Sequence, residues 1–267
     1  MQTVITLLTD FGLYDGYVAA MKGVIYDECR DYKENLIIVD ITHNIPQGDI
    51  KEAGYILSEV YPYFPIDTLH LVIVDPGVGS SRAILYAECK RGRFMLPDNG
   101  ILSFLHQEDL SNLKVWELPL PKISRDISNT FHGRDIFAPW AAAIALDQVV
   151  KLIIKTDWKR LEIPQPVRKD KLIEGEIIRI DHFGNLISNI PKIWFDDLDL
   201  KRIHGRIKDK EFSEIYPFYM SAPDKNLFAL FGSHGCLELA MNQRNAALES
   251  GLKRGDKLSI NIECEVD

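Results

Sequence analysis

TLHLVIVDPGVGSSR, residues 68–82, begins as a strand and ends as a turn. Apolar residues fill Leu69 to Val74 apart from His70, and Asp75, a Pro-Gly pair and a second glycine follow. An apolar run without alternation reads as a strand covered on both faces, as in parallel sheets layered by helices. Two earlier runs, TVITLLTD (3–10) and LIIVDI (36–41), have the same character, and each precedes a helical segment. DGYVAAMKGVIYDEC (15–29) places Val18, Met21, Val24 and Ile25 at helical spacing. GDIKEAGYILSEVYPYF (48–64) does the same with Ile50, Ala53, Ile56, Leu57 and Val60. The alternation predicts an N-terminal α/β domain with a mainly parallel central sheet. Three strands end in an acid, Asp10, Asp40 and Asp75, on the side where ligands of such sheets bind.

Beyond this core, AILYAEC (83–89) and FML (94–96) read as an antiparallel extension across the Lys90–Arg93 turn. PDNG (97–100) opens a short helix and FHGRDIFAPWAAAIALDQ (131–148) a longer one. Two prolines and four charges in IPQPVRKDK (163–171) interrupt the pattern. The domains are therefore placed at 1–162 and 173–267, with 163–172 as linker. The second reads as strands at 175–181, 184–190, 202–208, 226–232, 236–241 and 257–266, separated by Gly, Asn and Pro turns. It predicts a smaller, all-β, barrel-like or sandwich domain.

The chain of 267 residues carries a net charge of −8, with its basic residues spread among acids, which argues against a nucleic-acid partner. Its N-terminus has no basic leader, and no apolar run approaches the roughly 18 residues that span a bilayer. The expectation is a cytoplasmic protein without a membrane partner. Cys29, Cys89, Cys236 and Cys264 are far apart, form no CxxC pair, and read as small hydrophobes rather than metal ligands or disulfides.

Single motifs decide little. Asp10-Phe11-Gly12 matches a kinase triplet, but no strand lysine or glycine-rich loop can precede it. GVGSSR (77–82) lacks the third glycine of a dinucleotide fingerprint and leads into a strand. His132 at a helix start is open between a site residue and an ordinary turn residue. Asp135 in the first turn also has a plain role, complementing the helix dipole. His43 follows a strand end and can also face the crevice, but no HxH or HExxH pair indicates a metal. DHFGN (181–185) and GSHG (232–235) are turn chemistry first, and together they raise the case for a ligand between the domains.

Taken in order, TDFG (9–12), DITH (40–43), VDPGVGSSR (74–82), PDNG (97–100), TFHGRD (130–135), DHFGN (181–185) and GSHGCLELAMN (232–242) resemble the S-adenosylmethionine hydroxide adenosyltransferase family, relatives of the fluorinase and chlorinase. The resemblance covers nearly the whole chain. It implies a homotrimer with S-adenosylmethionine held between one subunit's N-terminal domain and a neighbour's C-terminal domain. It further implies that Asp75, Arg82 and His132 handle water and that Asp10 holds the ribose hydroxyls. Asp181 corresponds to the partner of the methionine ammonium, Ser233 to a carboxylate partner with His234 beside it, and Phe183 and Asn185 to adenine contacts. Halogenating relatives carry Tyr where this chain has Asp75, a Tyr-Ser pair where it has His132-Gly133, and an extra loop after Arg82. Met241 stands where the fluorinase has Arg.

On that resemblance the expected reaction is attack of activated water on C5′ of the ribose, giving adenosine and L-methionine, with no cofactor and no metal. A sulfonium leaves as a neutral thioether, so no acid has to protonate it. Asp75 and His132 are expected to orient water and take proton density while Arg82 holds the carboxylate. Spacing alone favours a purely structural Asp75–Arg82 ion pair that closes the turn, and the family resemblance reverses that preference. Halide-dependent adenosyl transfer and a non-catalytic adenosine-binding module are the rival functions.

Overall fold

A computed structural model describes residues 2–31, 35–121, 126–148, 152–201, 203–223 and 226–262. Cys264 and the end of the last expected strand lie outside the described residues. The chain divides into two compact units, Met1–Glu162 and Ile163–Asp267. No helix among the described residues is long and apolar enough to cross a membrane.

The first unit is built on seven strands: β1 (Thr3–Thr9), β2 (Leu36–Thr42), β3 (Leu69–Ile73), β4 (Ile84–Cys89), β5 (Gly92–Pro97), β6 (Lys114–Glu117) and β7 (Ile153–Ile154), in the order β2-β1-β3-β5-β4-β6-β7. The pairs β1 with β2, β1 with β3, and β3 with β5 are parallel, while β4, β6 and β7 add antiparallel pairs. Helices α1 (Tyr17–Glu28), α2 (Ile50–Val60), α3 (Gln107–Leu110) and α4 (Ala138–Ala145) complete it. The apolar strands have partners on both faces. Ile5, Leu7, Leu71 and Ile73 pack with Val18 and Met21 of α1 and Ala141 of α4. Leu8, Val72 and Val74 pack with Ala53 and Leu57 of α2.

Strand ends match the expected acids in two cases. Asp10 follows β1 directly and Asp75 follows β3 by two residues, whereas Asp40 lies inside β2, opposite Leu7. The segment expected as one long helix at 131–148 is a wide π-type turn, Gly133–Phe137, running into α4.

The second unit holds β8 (Val167–Lys169), β9 (Leu172–Ile180), β10 (Leu186–Pro191), β11 (Ile203–Ile207), β12 (Lys210–Phe212), β13 (Ile215–Tyr216), β14 (Phe228–Phe231), β15 (Cys236–Ala240), helix α5 (Ala246–Ser250) and β16 (Lys257–Ile262). One nine-stranded sheet runs β12-β11-β16-β9-β10-β15-β14-β13, with β8 paired to β9. β9 serves both halves, pairing Leu172–Glu176 with β16 and its later residues with β10. Ile203, Ile260, Leu186 and Leu239 from the two halves consequently share one core. The stretch 163–172 is not a free linker: Pro164 O accepts from Asn189 Nδ2 at 3.0 Å, and β8 adds to the sheet. Prolines there limit pairing without preventing it. Helix α5 is a short addition to the strands; Asn245 caps it by accepting from Leu248 N at 2.9 Å.

Candidate active site

Asp75 and Arg82 are seven residues apart, and the turn between them brings their side chains into contact. Gly79 makes this possible: its φ is +80°, and a Cβ there would lie 2.6 Å from Asn129 O. Arg82 Nε donates to Asp75 Oδ1 and Oδ2 at 3.0 and 2.8 Å, and Arg82 Nη2 donates to Oδ2. Both side chains are largely buried, at 11% and 6% exposure for Arg82 and Asp75. Arg82 Nη2 also lies 3.0 Å from His132 Nδ1. A guanidinium is always a donor, so Nδ1 is the acceptor and the ring proton sits on Nε2. Burial and the Arg82 charge lower the His132 pKa, against a smaller opposing pull from Asp75 and Asp135. The sequence positions 75, 82 and 132 thus form one contiguous set, with a neutral imidazole at its end.

Asp135 is not part of this set's hydrogen bonding. It is fully buried, accepts from Arg134 Nε at 2.7 Å and from Ser128 N at 3.0 Å, and ties the preceding loop to the π-type turn. Asp10 accepts from Gly48 N at 2.8 Å. Thr9 pairs with Ile73 across parallel strands, so Asp10 and Asp75 leave the sheet at the same end. A side chain on Gly48 would contact Pro76 at 3.7 Å, which places the Asp10 anchor beside the Asp75 turn.

In the second unit Asp181 organises its own turn. Its Oδ1 accepts from Phe183 N and Asn185 N at 2.9 and 2.8 Å, and its Oδ2 accepts from Asn185 Nδ2 at 2.9 Å. This arrangement buries Asn185 and leaves Phe183 73% exposed. Phe183 and Asn185 line a pocket of about 550 Å³ with Tyr219, Met220, Met241 and Arg244. An exposed aromatic face beside a buried amide suits a flat, polar-edged ring.

Ser233 and His234 occupy the β14–β15 turn and are not among the residues lining that pocket. His234 Nε2 is buried without a hydrogen-bond partner among the described residues, and burial together with Arg179 lowers its pKa despite Asp181. Gly232 permits the close packing, since a Cβ there would lie 2.3 Å from His234 and 2.6 Å from Glu238. Glu238 accepts from Tyr219 Oη at 2.7 Å, and burial raises its pKa. Sequence reasoning missed Tyr219 and Glu238; the acid inside the apolar stretch CLELA was the available signal. Among the described residues no group of three or more His, Cys, Asp or Glu side chains is placed to hold a metal ion.

Family models for the SAM hydroxide adenosyltransferase N-terminal and C-terminal domains match residues 5–153 and 175–259. The chain belongs to the SAM hydroxide adenosyltransferase family. A relative in this family from Methanocaldococcus jannaschii, named (R)-S-adenosyl-L-methionine hydrolase, is 32% identical over 263 residues, covering 96% of this chain and 95% of the relative. A fluorinase from Nocardia brasiliensis is 25% identical, with 97% of each chain covered. A crystal structure of an uncharacterized conserved protein from Thermotoga maritima matches with a TM-score of 0.87 at 31% identity, covering 96% of this chain and 99% of that one.

Proposed function

We propose that the protein hydrolyses S-adenosyl-L-methionine, in the R configuration at sulfur that its hydrolase relatives' name specifies, to adenosine and L-methionine. The observation that carries this reading is the Asp75–Arg82–His132 set, which offers an anion, a fixed cation and a neutral imidazole to one small nucleophile. Asp75 is held by Arg82 along one edge, leaving carboxylate lone pairs for a proton of water. His132 presents Nε2–H as a donor to the water oxygen because its Nδ1 is engaged by Arg82. On this reading Asp75 is the base and His132 orients the water, which the tautomer supports. Water oxygen bonds to C5′, the C5′–S bond breaks with its electron pair going to sulfur, and the proton passes to Asp75 and on to solvent. Arg82 stabilises the hydroxide character that develops as the proton leaves.

The remaining assignments follow the family resemblance: Asp10 to the ribose hydroxyls, Asp181, Ser233 and His234 to the methionine end, and Phe183 and Asn185 to adenine. The pocket beside Phe183 supports the last of these by its shape and lining. The proposed assembly is a homotrimer in which a neighbour's second unit completes each site.

Incubating the purified protein with (R)-S-adenosylmethionine and resolving products by chromatography tests the reading. Adenosine and methionine in equal amounts are expected. A 5′-halogenated nucleoside formed in chloride or fluoride selects halide transfer, and tight binding without turnover selects a binding module; either result overturns hydrolysis.

A further inference from the structure

The turn Thr9–Gly12, which presents Asp10, is gripped at three points by the segment 43–48. His43 Nδ1 lies 2.8 Å from Thr9 Oγ1, Gly12 N donates to His43 O at 2.8 Å, and Gly48 N donates to Asp10 Oδ2 at 2.8 Å. His43 is buried at 3% exposure and Thr9 is fully buried, so water does not compete for the first contact. On the far side of the ring, His43 Nε2 lies 3.1 Å from Asp40 Oδ1, in ion-pair range though not aligned as a hydrogen bond. Lys22 Nζ donates to Asp40 Oδ2 at 2.6 Å.

We infer that His43 is a positioning residue for Asp10, acting through a tautomer relay that runs Lys22, Asp40, His43, Thr9. The cation at Lys22 keeps Asp40 an anion. A carboxylate facing Nε2 favours the tautomer with its proton there, which leaves Nδ1 as a lone pair. Thr9 Oγ1–H then donates to Nδ1, and the hydroxyl oxygen is free to accept from Phe11 N, which it does at 3.3 Å. That last contact bends the backbone across Asp10 and aims its carboxylate at Gly48 and away from the sheet. Each donor in this chain depends on the one before it, so the ring acts on Asp10 without touching substrate.

The inference rests on the reading of Asp10 as the ribose partner, and its test separates the two. The measurement is the ratio of affinities for adenosine and 2′,3′-dideoxyadenosine, taken by calorimetry on the full chain, alongside kcat and KM. Asp10→Asn is expected to reduce that ratio; an unchanged ratio overturns the ribose reading and the relay with it. With Asp10→Asn effective, His43→Leu is expected to lower the ratio about tenfold, the loss typical of a misplaced charged hydrogen bond. It should raise KM more than it lowers kcat. His43→Asn, whose amide oxygen can occupy the place of Nδ1 and accept from Thr9, should recover most of the preference. Thr9→Val breaks the same link from the other end at nearly equal volume, and carries the test if His43→Leu does not fold. A folded His43→Leu or Thr9→Val protein with the parent ratio overturns the relay, as does a His43→Asn protein no better than His43→Leu.

Discussion

At Asp75 one side chain closes a turn with Arg82 and, on the proposed mechanism, also serves as base; substitution can part the two. Asp75→Asn keeps volume and one acceptor oxygen toward Arg82 but cannot take a proton from water. The expected loss in single-turnover rate is about 10² to 10⁴, the usual worth of a general base, with S-adenosylmethionine affinity largely kept. A purely structural pair predicts the reverse, a lower melting temperature with near-parent turnover, so both are measured on one preparation. His132 sets the acid limb. Its active form is neutral, and burial with Arg82 places its pKa below the ordinary histidine value. The kcat/KM profile should therefore stay flat down to about pH 6.5 and fall only below it. An acid limb above that value contradicts the neutral imidazole. Linkage has the same sign: the stability this group contributes is complete above its unfolded pKa and declines as pH falls through the depressed folded one.

Strands and turns place these groups, and they explain why some of the site was legible and some was not. The parallel core of β1, β2 and β3 follows from uninterrupted apolar runs, which only a sheet covered on both faces can bury. Asp10 and Asp75 were legible for that reason, as charges just past the end of such runs. The His43–Thr9 contact was not, because no local pattern reports a hydrogen bond between side chains 34 residues apart. The short strands β12 and β13 and helix α5 escaped as well, since their form is set by packing on the second unit's core more than by periodicity. β3 itself carries a buried base: His70 stacks on Phe94, shares a hydrogen bond with Thr6 Oγ1 at 2.9 Å, and has its pKa pushed down to about 4 by burial. Stability from neutral His70 is present above its unfolded pKa and is lost as pH drops toward 4. Between about pH 7 and pH 4.5 the parent should lose about 2 to 3 kcal/mol more than His70→Phe in denaturant titrations. Equal losses would remove His70 as the source. In the second unit Asp181 holds Phe183 and Asn185 in one turn, so Asp181→Ala acts on the pocket through both. Its KM should rise about tenfold with kcat nearly unchanged, and the effects of Asp181→Ala and Asn185→Ala should be strongly non-additive. Simple additivity in that cycle would show that Asp181 acts on the substrate alone.

For the whole molecule, the proposed function divides the chemistry between the residues of two compact units. On that proposal the first supplies charge and proton handling through the hydrogen-bonded Asp75, Arg82 and His132, and the second supplies the pocket wall at Phe183 and the turn at Asp181. The composition break at 163–171 marked this division in the sequence, although its residues fold into the second unit instead of spanning between the two. On the proposed homotrimer, each site draws its first unit from one subunit and its second from a neighbour, and that arrangement has a consequence a self-contained subunit cannot imitate. Asp75→Asn disables the first unit and Asp181→Ala weakens the second, so either variant alone carries a defect in every site. After the two are unfolded together and refolded as a random mixture, some sites combine an intact first unit from one variant with an intact second unit from the other. Chance assortment in a closed ring makes that fraction about a quarter of all sites. At substrate concentrations well below the KM of Asp181→Ala, mixed refolding should raise activity well above the average of the separate variants. Activity equal to that average, with light scattering reporting a monomer, would place the whole site within one chain and discard the shared-site trimer.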